Sequence, residues 1–171
     1  MMKQQIVISG LGGQGVLFTT RLLAEAGVAM GADVLTSETH GMAMRGGTVM
    51  SHVKIGGFWS PLIRRGMADT GLFLAAATVS SHMNFLKEEG YAVINSPNGG
   101  DLSVDATAIA RDMGSFLVTN LVLLGFAVQK GTLFCPGDVM RDVITALSPP
   151  RYRSVNTAAF DRGLTITGGP L

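Results

Sequence analysis

The sequence predicts an α/β fold in three layers, a doubly wound and mostly parallel sheet with one β-hairpin. Three observations carry that prediction. An apolar run from Gln4 to Ser9 feeds the turn Gly10-Leu11-Gly12-Gly13-Gln14-Gly15, and a helix-like segment follows directly. Strand-like and helix-like segments then alternate to the end of the chain, the pattern that βαβ units leave in a sequence. Several strand-like runs are continuously apolar, as strands buried on both faces are.

The elements follow in order. Apolar residues Val16, Leu17, Leu22, Leu23, Ala26 and Ala29 recur at three- and four-residue steps and predict a helix from Val16 to Met30, ended by Gly31. Ala32 to Ser37 reads as a second strand, closing a strand-helix-strand unit whose two strands are expected to run parallel. Glu38 to Gly47 is a glycine-rich loop leaving the end of that strand. Thr48 to Ile55 alternates in character, and Gly56-Gly57 followed by Phe58 and Trp59 predicts a hairpin turned at the glycine pair. Pro61 to Ala68 is irregular, Thr70 to Ala77 is a buried strand, and Val79 to Glu89 reads as a helix stopped by Gly90. Tyr91 to Asn95 is a strand, residues 96–101 a turn, and Leu102 to Val104 a short strand. Asp105 caps a helix through Met113; further helices are expected over Leu121 to Lys130, 137 to 147 after Pro136, and Ser154 to Arg162.

Composition narrows the function. A chain of 171 residues fits one domain spanning 1–171 with a core that needs no disulfide. Thirteen basic against twelve acidic side chains, with no Lys/Arg block, argue against a nucleic-acid partner. Only 15% of residues are charged while 47% are hydrophobic, which leaves little charge to cover a free surface and points to a protein partner or to homo-oligomers of the isolated chain. The single Cys135 rules out a four-thiolate iron–sulfur cluster on this chain, and it reads as inert packing. No secretory signal and no apolar run of membrane-spanning length is present, so a cytoplasmic location and no membrane are expected.

Two glycine-rich segments leave the carboxyl ends of the first two strands, where open α/β sheets bind ligands. Gly10, Gly12, Gly13, Gln14 and Gly15 form a turn of bare amides at a helix N-terminus, suited to a phosphate or, alternatively, to tight packing on a partner. Arg45 beside Gly46 and Gly47 offers a bidentate cation next to bare backbone, for a phosphate, a carboxylate or an interfacial ion pair. Glu38 stands where a Rossmann-like dinucleotide fold holds the ribose hydroxyls, or else caps a turn. His40 reads as a polar neighbour of Arg45. His40, His52 and His82 have no metal-ligand spacing. Met42, Met44 and Met50 with Phe58 and Trp59 offer an adaptable apolar contact surface or ordinary core.

The turn at 10–15, the loop His-Gly-Met-Ala-Met-Arg-Gly-Gly at 40–47 and the run Ser-His-Val-Lys-Ile-Gly at 51–56 resemble the gamma-type subunit of 2-oxoacid:ferredoxin oxidoreductases, and most closely the small subunit of the indolepyruvate type. Ser60-Pro61-Leu62-Ile63, Asn120-Leu121-Val122-Leu123-Leu124-Gly125 and Asn156-Thr157-Ala158-Ala159-Phe160 continue the resemblance over nearly the whole chain. It departs at Met44, where glutamine is usual, and at Ala75-Ala76-Ala77-Thr78, which lacks a glutamate. The resemblance implies a hetero-oligomeric enzyme that oxidatively decarboxylates a 2-oxoacid to an acyl-coenzyme A and passes electrons to ferredoxin. Thiamine diphosphate, Mg and iron–sulfur clusters are then expected on a large partner subunit, with this chain supplying no redox cofactor and contributing to a coenzyme A site. The competing reading is a free-standing nicotinamide- or flavin-binding protein that uses the same turn and Glu38.

Overall fold

The computed structural model describes residues 2–40 and 47–167 of the chain, with no side chain described at His40. Six strands form one sheet in the order β2-β3-β1-β4-β5-β6. They are β1 (Gln4–Leu11), β2 (Val34–His40), β3 (Thr48–Ile55), β4 (Ala68–Phe73), β5 (Leu86–Asn95) and β6 (Ser103–Val104). The pairings β1–β4, β4–β5 and β5–β6 are parallel, while β3 runs opposite to both of its neighbours. Helices α1 (Val16–Ala29), α3 (Ala106–Asp112), α4 (Thr119–Gln129), α5 (Gly137–Leu147) and α6 (Arg153–Leu164) belong to one layer. The third layer is thin: the four-residue α2 (Val79–His82), the 3-10 turns on either side of it, and the segment through Ile63.

Alternation along the strands makes the two faces different. Ile6, Ile8, Val53, Ile55, Leu72 and Val93 pack with the helical layer in the main core. Val7 points the other way, into a small cluster with Ile63, Ala68, Phe85 and Leu86. The helical layer is held close by glycine: a Cβ on Gly125 would lie 2.2 Å from the Phe160 carbonyl oxygen, and one on Gly163 would lie 2.2 Å from that of Val122. Backbones of α4 and α6 therefore touch where they cross. Asp105 caps α3 as expected, its carboxylate accepting from the Ala108 amide at 2.8 Å.

Three expectations are corrected. The hairpin exists, but it joins β2 to β3 through residues 41–47 instead of turning at Gly56-Gly57. Gly56, at φ +100, instead donates its amide to the Asp33 carbonyl at 2.8 Å and packs on the Met2 backbone, so the chain leaves the sheet there. Both edges of β3 are already taken, by β1 and β2, leaving Phe58 and Trp59 no strand to pair with. β1 and β2 are consequently separated by β3 and not adjacent. Lastly, the helix expected over Val79 to Glu89 is only α2; from Leu86 the chain is strand. Gly66 and Met67 donate to the Asn84 and Phe85 carbonyls at 2.9 and 3.0 Å, and Leu86 enters the small cluster. These long-range bonds outweigh the weak helix preference of a Ser-Ser-His-Met-Asn run.

Candidate functional site

The carboxyl ends of β1 and β2 lie at one edge of the sheet, and the turn after β1 opens there. Gly12 and Gly13 are exposed, and Gly13 has φ +92 with nothing within 4 Å of the place a Cβ would take. Gly15 begins α1 at φ +82, and its carbonyl accepts from the Thr19 amide at 2.9 Å. The helix has no side-chain cap there. Amides earlier in the first turn have no intrahelical acceptor, and the helix dipole places partial positive charge at this spot. A cleft of about 440 Å³ opens over it, lined by Leu11, Gly12, Gly13, Gly15, Val16, Leu17 and Val49.

Gln14 holds the turn together. Its side-chain oxygen accepts from the Leu11 amide at 2.7 Å, and its amide reaches the Leu74 carbonyl at 3.4 Å. The structure thus turns Gln14 inward, as a brace. Gly10 is buried, with the place of a Cβ 3.0 Å from that same Gln14 oxygen and 3.1 Å from Leu74. A second brace comes from α4 and was not legible as such: Asn120, almost fully buried, donates to the Gly15 carbonyl at 3.4 Å and to the Thr19 hydroxyl at 3.2 Å. Its side-chain oxygen is buried with no partner among the described residues. The only sequence signal was a polar residue opening an otherwise apolar helix.

The two glycine segments meet directly. The Gly12 amide donates to the Gly47 carbonyl at 2.9 Å, where the 40–47 loop returns as β3. Glu38 is exposed on β2, in register with Ser51 of β3 and, through it, with Ile8 of β1. Arg45 and Gly46 lie outside the described residues, as do Met42 and Met44, and His40 is placed only as the last residue of β2.

Beneath the sheet, on the face away from α1, a buried polar group sits near the carboxyl end of β1. The Ser9 hydroxyl and His82 Nδ1 are 2.6 Å apart, and His52 Nδ1 accepts from the Ile63 amide at 3.3 Å. Both imidazoles lie edge-on to Phe85. Burial lowers the pKa of each; His52 is lowered further by Lys54 and by His82. The same burial favours the neutral form of both rings. Cys135 is buried, and burial pushes its thiol up to about 12, well away from any reactive or metal-ligating state. With that one cysteine the chain's residues do not fit an iron–sulfur cluster, and no group of three metal-ligating side chains occurs among the described residues.

The fold and its glycine crevice define a three-layer α/β domain with an anion-suited turn. Residues 5–166 match the family described as pyruvate ferredoxin/flavodoxin oxidoreductase, and the chain belongs to that family. It is 35% identical to the indolepyruvate oxidoreductase subunit IorB of Archaeoglobus fulgidus, over 72% of this chain and 75% of that one. Against the subunit of the same name from Pyrococcus horikoshii it is 29% identical over 96% of both chains. Among solved structures, the gamma subunit of a keto/oxoacid ferredoxin oxidoreductase from Geobacter sulfurreducens is similar with TM-score 0.76 and 25% identity, over 94% of this chain and 96% of that one. The 2-oxoglutarate:ferredoxin oxidoreductase of Magnetococcus marinus shares the fold, with TM-score 0.78 at 20% identity, over 95% of this chain and 30% of the longer one. The chain is therefore a small subunit of the 2-oxoacid:ferredoxin oxidoreductase type. No helix among the described residues is long and apolar enough to cross a membrane.

Proposed function

We propose that this chain, working as one domain in the cytoplasm, completes a large subunit that carries thiamine diphosphate, Mg and iron–sulfur clusters. Together they convert a 2-oxoacid, indolepyruvate or a related one, to carbon dioxide and an acyl-coenzyme A, with two electrons passed to ferredoxin. Thiamine diphosphate, when bound on the partner, stabilises the carbanion left by decarboxylation. This chain's own share is to hold the phosphate-bearing end of coenzyme A. Gly13 and Gly15 present bare amides at the start of α1, Gly10 and Gln14 keep the turn's shape, Gly12 is tied to Gly47, and Arg45 with Gly46 is proposed to supply the cation. Glu38 and His40 border the same edge from β2.

The observation that carries this reading is the uncapped start of α1 at Gly15, which opens with Gly13 onto the cleft over the glycine turn. Membership in the family and the coenzyme A named in the Magnetococcus marinus structure agree with it. The test compares Gly13→Asn with Gly13→Asp in the assembled enzyme. Both fill the open space at Gly13 and both tolerate positive φ. Only aspartate adds a negative charge where an anion is to sit. The Asp variant is expected to weaken coenzyme A binding by about tenfold relative to Asn, the scale of a charge at a helix N-terminus. Equal binding by the two variants refutes the coenzyme A assignment.

A further inference from the structure

On the face of the sheet away from α1, the side chain of Lys54 lies on β3 beside Gln5 of β1, and its ammonium sits 5.0 Å from the centre of the Phe58 ring. The Lys3 ammonium is also 5.0 Å from that ring. Lys54 is only 7% exposed. Arg64 is close enough to act on it: burial first, and then the Arg64 guanidinium, lower the Lys54 pKa. Among the described residues none of Lys3, Lys54, Arg64 and Arg65 forms an ion pair; the described pairs are Lys87 with Asp69 and Arg141 with Asp161.

Each of these features is unfavourable in an isolated chain. A lysine whose side chain is largely covered and has no carboxylate beside it is unfavourably placed, and a second cation near it adds repulsion. The ring beneath them recovers only part of that cost. The same segment leaves Trp59 fully exposed at 103%, with Leu62 at 54% and Met67 at 46%. An exposed tryptophan among arginines is the composition of an interface centre and not of a solvated loop. One missing component, a surface that brings carboxylates and an apolar pocket, relieves all of these strains at once.

We infer that the surface formed by Phe58, Trp59, Leu62, Lys54 and Arg64 is a docking face for a carboxylate-rich surface of the large partner subunit. The partner's identity rests on the proposed function; the chemistry of the contact rests on the unpaired cations. The face meets β1 at Gln5, five residues from Gly10, or about 17 Å along the strand from the glycine turn.

Affinity for the separately purified large subunit, measured by titration at low and high salt, tests this. Binding by the wild-type chain is expected to weaken steeply with salt. Trp59→Ala and Arg64→Glu are each expected to weaken it by at least about tenfold, while Phe116→Ala, on an exposed aromatic of the helical layer, leaves it unchanged. Lys54→Met is the sharpest variant. Removing a carboxylate-free charge that Arg64 repels is expected to raise the Tm of the isolated chain while weakening the complex, opposite signs that a merely structural lysine does not give. Zero-length carbodiimide coupling in the complex is expected to join Lys3 or Lys54 to aspartate or glutamate of the large subunit. Wild-type binding that is salt-independent and untouched by Trp59→Ala and Arg64→Glu overturns the docking face and leaves the proposed function standing. No wild-type binding at any salt overturns both.

Discussion

Gly15 is the position where backbone shape, packing and the candidate anion site coincide, and Gly15→Ala tests all three. Its φ of +82 is a conformation L side chains rarely adopt, and forcing alanine into it costs about 1–2 kcal/mol. The new methyl carbon would also stand 2.6 Å from Asn120 Nδ2 and 3.0 Å from its Cγ. Carbon and nitrogen settle at about 3.5–4.0 Å, so the Asn120 side chain must retreat by roughly 1 Å in a nearly solvent-free site. Retreat removes its bonds to the Gly15 carbonyl and the Thr19 hydroxyl, worth about 1 kcal/mol each. The sum is about 3–4 kcal/mol, or roughly 10 °C in Tm for a chain of this length. Gly13→Ala is the control: φ is +92 but nothing lies within 4 Å, so only the backbone term remains, about 1–2 kcal/mol. Urea titration with an unchanged m-value measures both. Asn120→Ala combined with Gly15→Ala should recover part of the loss, because the methyl then has room. Equal losses at Gly13 and Gly15, or strict additivity in the double variant, would refute the idea that Asn120 and Gly15 are fitted to each other.

Three further outcomes follow from the same geometry. Gly125→Ala and Gly163→Ala should each cost upwards of about 3 kcal/mol, because the added carbon meets a backbone oxygen at 2.2 Å and only separation of α4 from α6 relieves it; loss of folded protein in expression or a large fall in urea midpoint checks this. His52 and His82 have folded-state pKa values below the unfolded value of 6.5, so the unfolded chain binds more protons in acid. Their contribution to stability is complete above pH 6.5 and is lost as pH falls through their lower folded values; the urea midpoint should drop over that window, and replacing both by asparagine should flatten the drop. Cys135, buried with its thiol near 12, should resist iodoacetamide at pH 8 in the folded chain and react at once in urea.

What the sequence revealed and what it hid divide along range. The β1–turn–α1 unit was legible because three cues lie within thirty residues: an apolar run, glycines, and a switch to helical period. The Asp105 cap of α3 was legible for the same reason, whereas Gly90, read as a helix stop, lies inside β5. Strand order was not. The alternation of Val49, Ser51, Val53 and Ile55 fixes the two faces of β3 but contains nothing about its neighbours, and the glycine pair after it suggested a hairpin partner that the sheet supplies from the other side. Gln14 was legible as important but not in its direction, because whether an amide faces a ligand or its own turn depends on Leu74, sixty residues away. Asn120 braces Gly15 across 105 residues, a fit visible only in three dimensions.

The insertion of β3 also decides between the two uses of the glycine turn. In a dinucleotide fold the carboxylate that grips the ribose stands on the strand next to the one that ends in the glycine turn, about 4.8 Å away. Here the neighbour of β1 on that side is β3, in register from Gln4 opposite Ile55 to Leu11 opposite Thr48, and Glu38 stands one strand further out. That places it about 9–10 Å from β1, with the returning chain at Gly47 hydrogen-bonded to the turn in between. A nicotinamide or flavin dinucleotide with its pyrophosphate on the amides of α1 would have to cross β3 to reach Glu38. Thermal-shift titration should therefore show no stabilisation by a nicotinamide dinucleotide in millimolar excess, and Glu38→Gln should change nothing in that experiment. A saturable rise in Tm with the dinucleotide that Glu38→Gln abolishes would restore the free-standing nucleotide-binding reading, since only a ribose held by that carboxylate gives both results.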